Sequence, residues 1–167
     1  MPLNLTQSAR KIEAGELETF KALRLEALRT EPNSFGSRFE DWENRPQEDW
    51  LLELRFCNVF AAFHGNEPVG LMGMIPLQVS EEFRSGKLVM VYIQPSERGT
   101  GVASLLLKEL VVFTRTLNLS QMSLTVGKEN HAAIRFYQKS GFVEVNSTSN
   151  PNGSRIEEIL MIRSLTD

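Results

Sequence analysis

The sequence is poor in the residues that staple or metallate small folds: of 167 residues, one is cysteine, Cys57, and two are histidine. A single thiol cannot close an intramolecular disulfide, so a disulfide-built secreted domain is excluded, and no metal site is expected. No apolar run approaches the roughly 20 residues that span a bilayer. Residues 1–10 hold no apolar core of signal-peptide length. A cytoplasmic protein without a membrane partner is therefore expected. Basic residues number 18 against 21 acidic, a formal net charge of -3. They form no arm or stripe, which argues against a nucleic-acid partner. Two phosphate-binding signatures are also missing. No Gly-Lys-Ser/Thr follows the glycine pair at Gly99 and Gly101, and Ser104 stands where a dinucleotide fingerprint needs its third glycine.

What is present reads as an ordinary globular chain, with 41% hydrophobic and 23% charged residues and no repeat, low-complexity tract or long linker. Its length suits one domain, residues 1–167. Leu17, Phe20, Leu23, Ala27 and Leu28 recur at helical spacing within 16–30, and Pro32-Asn33 ends that helix. A short helix is expected over 46–56, with Pro46 in its first turn. Strands are expected over 58–64 and 69–79, joined by the turn at 65–68, with Pro76 marking a bend or an edge. Residues 88–93 form an apolar run suited to a strand covered on both faces. A helix over 100–117 follows, with Val102, Leu105, Leu106, Leu110, Phe113 and Leu117 on one face. Then come a strand at 121–126, a helix at 130–140 closed by Gly141, a strand at 142–145, a turn at 150–153 and a last strand at 156–162. Strand, helix, strand over 88–126 is a βαβ unit with parallel strands. The predicted fold is α/β, a mixed sheet with helices on both faces.

Two segments carry chemistry. Gln94-Pro95-Ser96-Glu97-Arg98-Gly99-Thr100-Gly101-Val102-Ala103 joins the buried strand to an amphipathic helix, where free N–H groups and the positive end of the helix dipole gather. Glycines there let an anion approach the main chain, and Arg98 could add a fixed positive charge. The same glycines also suit a plain tight turn. The second segment is Asn130-His131-Ala132-Ala133-Ile134-Arg135-Phe136-Tyr137-Gln138-Lys139-Ser140-Gly141-Phe142. Asn130 and Tyr137, seven apart, lie on one helix face. Taken singly, Asn130 reads as an N-cap and Tyr137 as a half-buried aromatic.

Together these segments resemble the GNAT superfamily of acetyltransferases. Arg98-Gly99-Thr100-Gly101-Val102-Ala103 is similar to its acetyl-CoA motif, and Asn130 with Ala133, Phe136-Tyr137 and Lys139-Ser140-Gly141-Phe142 to the motif that follows. The resemblance implies a GNAT-like mixed sheet and acetyl-CoA as cosubstrate. It implies that the amides of Gly99, Thr100, Gly101, Val102 and Ala103 hold the pyrophosphate, with Arg98 at the mouth. Val91 and Ile93 would pair with the pantetheine arm where two parallel strands splay, Asn130 would bond the pantetheine, and Tyr137 would meet the thioester sulfur. The partner is then an amine acceptor on a small molecule, peptide or protein, with a homodimer as one open assembly.

The implied reaction needs a free amine, and neutralising a lysine-like amine at pH 7 costs about 4.6 kcal/mol. A proton acceptor must exist. Some family members place a glutamate near the start of the fourth strand, where this chain has Lys87. Glu81, Glu82 and Glu129 read as solvated loop charges, His64 as an exposed strand end, and Tyr92 as packing or a water holder. Cys57 reads as a small buried residue, so direct attack is expected over a ping-pong route. With the ordinary acidities of a phenol and a thiol, proton transfer from tyrosine to a thiolate is uphill by a factor of about 30, which makes Tyr137 a hydrogen-bond donor first. Residues 29–50 mix Phe35, Phe39, Trp42 and Trp50 with acidic groups. This layer either receives a cationic amine or packs its aromatics inward. The lack of an obvious base keeps a second reading open, an acetyl-CoA sensor without turnover.

Overall fold

A computed structural model describes residues 6–145 and 157–166. Strands run β1 (Gln7–Lys11), β2 (Phe60–His64), β3 (Glu67–Gln78), β4 (Arg84–Ile93), β5 (Gln121–Gly127), β6 (Val143–Val145) and β7 (Glu158–Ser164). Helices are α1 (Leu17–Thr30), α2 (Phe39–Trp42), α3 (Gln47–Phe56), α4 (Val102–Thr116) and α5 (His131–Lys139). The seven strands form one sheet, ordered β1-β2-β3-β4-β5-β7-β6. All neighbours are antiparallel except β4 and β5, so the expected mixed sheet and parallel pair are present. The predicted turn at 150–153 and the start of the last strand at Ile156 lie outside the described residues.

The sheet is covered on both faces. On β2, Ala61 and Phe63 join the cluster of α1–α3 built on Phe20, Trp42 and Trp50, while Phe60 and Ala62 join that of α4 and α5 with Leu106, Leu110 and Tyr137. Strand alternation sends neighbours to opposite faces, and a strand buried on both sides must be apolar throughout. That is why 60–63 reads as a solid run.

Several boundaries move for physical reasons. β1 was not expected: Gln-Ser-Ala-Arg-Lys has little apolar signal, and it exists because it pairs with the edge of β2. β4 starts at Arg84, four residues before the apolar run, because Arg84–Lys87 pair with β3 and in part with β5. Pro46 precedes α3 rather than opening it, and its carbonyl accepts the Asp49 N–H at 3.0 Å. Pro76 pairs with Gly86 on β4, while β2 pairs with β3 only from Glu67 to Met72. The proline's missing N–H thus falls where its strand has a free edge. On α4 the buried arc is rotated from the predicted stripe. Leu107 and Val111 are buried and Phe113 only partly so, because Phe113 leans on Phe60 at the β2 side, ring centroids 5.5 Å apart.

Candidate active site

The site is built around a seam that opens. β4 and β5 pair only at Ser85–Gln121, Gly86–Met122 and Lys87–Ser123. Beyond them β4 runs on to Ile93 and β5 to Gly127 without pairing to each other. The cause is local. Between the pairs Gly73–Val89 and Leu71–Tyr92, the single residue Met72 faces two, Met90 and Val91. Such a bulge bends its strand, and Met90 adopts φ 55°, a left-handed conformation uncommon outside glycine. On the far side of the bulge the Gln94 N–H bonds the Val69 carbonyl at 2.9 Å. Antiparallel alternation then turns the main-chain groups of Ile93 away from β3, toward the opening. Val91 is partly buried and Ile93 buried in the cluster that contains Tyr137.

The cradle lies at the mouth of this opening. A 3-10 turn, Pro95–Glu97, leads to Gly99 (φ 79°) and Gly101 (φ 91°), and Gly101 caps α4. The left-handed φ explains both glycines, and a Cβ at either would meet no atom within 4 Å. The first α4 bond is Leu105 N–H to the Gly101 carbonyl at 3.1 Å. Among the described residues, the N–H groups of Gly99, Gly101, Val102, Ala103 and Ser104 have no main-chain acceptor. The Thr100 N–H is spent on the Glu97 carbonyl, 3.3 Å, and the Thr100 hydroxyl donates to the same atom, 2.6 Å. The Glu97 carboxylate lies 2.8 Å from Nδ1 of His64, so His64 braces the turn rather than standing exposed.

Besides the Thr100 amide, already spent on Glu97, Arg98 sits differently from expectation, while Asn130 caps its helix as its residue type suggests. Arg98 is not free at the mouth. Its Nη2 donates to Glu31 at 2.7 Å and its Nε to the Ile93 carbonyl at 3.1 Å. Its charge is matched by a carboxylate, and it ties the α1 end to the end of β4. Asn130 is an N-cap as well as a candidate ligand: its Oδ1 accepts the Ala133 N–H at 3.2 Å, which leaves the amide Nδ2 to donate elsewhere.

Tyr137 is 5% exposed. Burial pushes its phenol above the ordinary value, because low dielectric disfavours the phenolate. Its setting explains the Lys139-Ser140-Gly141-Phe142 signature. Gly141 is left-handed (φ 92°), Gly141 N–H bonds the Gln138 carbonyl and Phe142 N–H the Tyr137 carbonyl. These are the two bonds of a Schellman cap, completed by the apolar contact of Phe142 on Tyr137, ring centroids 5.7 Å apart. The cap fixes the tyrosine.

Glu26 was missed by sequence reasoning. It lies on α1, and its Oε1 accepts from Nε2 of Gln94 at 3.2 Å while Oε2 is buried without a partner. Tyr92, 3% exposed, is its neighbour: burial raises the Tyr92 phenol above its usual range, and the Glu26 carboxylate adds to this while Thr30 and Arg98 oppose it. Glu26 falls between Leu25 and Ala27 and gives no spacing signal. Only the tertiary contact with the end of β4 singles it out. Lys87 is paired in the sheet with Ile75 and Ser123, while Glu81, Glu82 and Glu129 are exposed. Cys57 is buried, its Sγ 3.4 Å from Glu53. Burial first, then the Glu53 carboxylate, push its thiol up to about 12, which removes the thiolate a nucleophile needs.

The layer of α1–α3 packs its aromatics inward. Trp50 is 0% and Trp42 4% exposed, and the rings are covered by the chain's own cations. Arg24 lies over Trp42 and Phe35, Arg45 over Trp42, Arg29 over Phe39 and Lys21 over Trp50.

A split parallel seam ending in a glycine cradle at a helix start is an architecture for a long ligand with a phosphate group. A family model, the acetyltransferase (GNAT) family, matches residues 22–142, and the chain belongs to this family. It is 31% identical over 128 residues to a mycothiol acetyltransferase of Thermobispora bispora, covering 75% of this chain and 42% of that protein. The chain thus spans less than half the length of that relative. Among solved structures, a GNAT-family acetyltransferase from Streptococcus pneumoniae aligns with TM-score 0.77 at 22% identity, covering 96% of this chain and 100% of that one. The PaiA N-acetyltransferase of Thermoplasma acidophilum, in complex with coenzyme A, aligns with TM-score 0.73 at 19% identity, covering 96% and 99%. Among the described residues no helix is long and apolar enough to cross a membrane.

Proposed function

We propose that this chain, as one domain over residues 1–167, is an acetyl-CoA-dependent N-acetyltransferase that acts on a primary amine by direct attack. The observation that carries this reading is the set of five unpaired amide N–H groups, Gly99 and Gly101–Ser104, at the mouth of the opened seam. They fit a pyrophosphate, since charge-assisted bonds of about 1.5–3 kcal/mol each would replace bonds to water. The outward-facing N–H of Ile93, whose carbonyl is held by Arg98, and Val91 in the bulge suit the amide-bearing pantetheine arm. Asn130 has an amide donor left for the same arm.

The acceptor amine loses a proton to Glu26, whose partnerless oxygen is the available base, directly or through water beside Tyr92. Its lone pair attacks the thioester carbon, and an N–H near Val91 steadies the oxyanion. The C–S bond then breaks. Tyr137 donates a hydrogen bond to the departing sulfur, which takes up the second amine proton. With its phenol raised by burial, full transfer from Tyr137 is further uphill than the ordinary acidities of a phenol and a thiol imply. The test is a calorimetric titration with acetyl-CoA followed by mass detection of acetylated amines. Saturable binding with product formation is expected; absence of binding refutes the reading.

A further inference from the structure

Among the described residues, the α1–α3 layer buries one cation, Arg24, and gives it no ion-pair partner within 4 Å. Arg24 is 3% exposed, and its Nε and Nη1 are buried without a hydrogen-bond partner. The indole Nε1 of Trp50, 0% exposed, is likewise unpartnered. Trp42 links the two: the Arg24 guanidinium is 4.5 Å from its ring centre, and the Trp50 ring 5.2 Å. The one carboxylate in reach, Glu53, is already engaged by Arg45 at 3.2 Å and by the Cys57 thiol at 3.4 Å. Two guanidinium charges and one carboxylate leave this cluster one positive charge in excess, with donors only to spare. Buried unpaired charge and orphaned donors are costly to hold, and burial accordingly lowers the Arg24 pKa to about 10. Such a group calls for an acceptor not supplied by the chain.

The sign matters. The rings that would hold a cationic substrate are covered by Lys21, Arg24, Arg29 and Arg45, so a second cation gains nothing here, whereas one negative charge completes the cluster. The apolar core that encloses the cluster also reaches the β4 bulge. Cys57 and Met90 belong to it, and a Cβ at Gly73 would lie 3.0 Å from the Met90 methyl and 3.1 Å from the Cys57 carbonyl, beside the β4 bulge. The covering side is Phe35, partly exposed, in residues 31–38, a segment without helix or strand.

We propose that the acceptor is an amine that also bears a carboxylate, and that Arg24 is the residue that binds this carboxylate once the Phe35 ring swings aside. The one buried guanidinium left without a carboxylate, Arg24, matches a singly charged carboxylate better than a doubly charged phosphate. This rests on the transferase reading above. The experiment measures kcat/KM for matched pairs, L-amino acids and dipeptides against their carboxamides, with acetyl-CoA binding followed separately by calorimetry. The free acids are expected to be preferred by about 10–100-fold, the range of a charge-assisted guanidinium–carboxylate contact. Arg24→Met is expected to reduce that preference to near one through KM, with acetyl-CoA affinity kept. Equal kcat/KM for acids and carboxamides in the wild type overturns the proposal even if Arg24→Met does not fold. Failure to bind acetyl-CoA refutes the transferase reading instead.

Discussion

Replacing Gly101 with aspartate sets a small folding cost against a large binding cost. Gly101 has φ 91° and ψ -2°, and a Cβ there meets nothing within 4 Å. The folding penalty is therefore conformational, about 1 kcal/mol for a left-handed aspartate. A carboxylate at a helix start recovers part of this through the dipole, but only part, because a capping side chain prefers extended backbone. A net loss of about 0.5–1 kcal/mol in a chain this long lowers Tm by roughly 1–4 °C. Binding suffers far more. The new carboxylate projects into the space in front of the Val102 and Ala103 amides, repels the pyrophosphate and competes for its donors. Two lost charge-assisted bonds, at about 1.5–3 kcal/mol each, weaken acetyl-CoA binding by about 10²–10⁴-fold. At 100 times Kd a ligand stabilises its protein by about 2.7 kcal/mol. The wild type should therefore gain roughly 5–11 °C with acetyl-CoA, and the variant almost nothing at the same concentration. Differential scanning fluorimetry with and without acetyl-CoA, backed by calorimetry, reads both effects. A variant that folds and binds acetyl-CoA within threefold of wild type would show that the phosphates lie elsewhere.

Tyr137→Phe keeps the ring that packs on Phe142 and removes only the hydroxyl; kcat should fall about 10–100-fold, below the 10²–10³ of an oxyanion donor because sulfur is a softer acceptor. Acetyl-CoA affinity should hold, and an unchanged kcat assigns the residue to packing. Glu26→Gln should lower kcat/KM most at neutral pH, with the deficit shrinking as pH approaches the amine's own pKa. A deficit independent of pH would make Glu26 a positioning residue. Gly86→Ala places a methyl 2.8 Å from Met74 Sδ and 2.9 Å from Leu119 Cδ1, within the short parallel seam; overpacking of about 1–3 kcal/mol should lower Tm, and a Tm equal to wild type refutes it. Cys57, its thiol pushed up to about 12, should resist iodoacetamide at pH 8, with a thiolate fraction of about 10⁻⁴; rapid alkylation with loss of activity would reopen a covalent route.

The parts legible in the sequence were those where local chemistry decides local structure. The apolar run before Gln94, the glycines at 99 and 101, and the stripe beginning at Val102 each state their element without outside help, because strand burial, left-handed φ and helical spacing leave direct marks on residue type. The same holds for Asn130 as a cap and Gly141 as a stop, and two such segments one βαβ unit apart were enough to indicate the family. Tertiary structure alone decided what depends on partners distant in the chain. β1 exists only because β2 offers it an edge. The bulge at Met90 follows from register against Met72. Arg98 is drawn from the cradle by Glu31, 67 residues away, and Glu26 becomes a candidate base only because α1 crosses the end of β4 at Gln94. Arg24 looks like any helical arginine in sequence. Its burial between Trp42 and Phe35, without an acceptor for Nε and Nη1, comes from three helices closing on one face of a sheet.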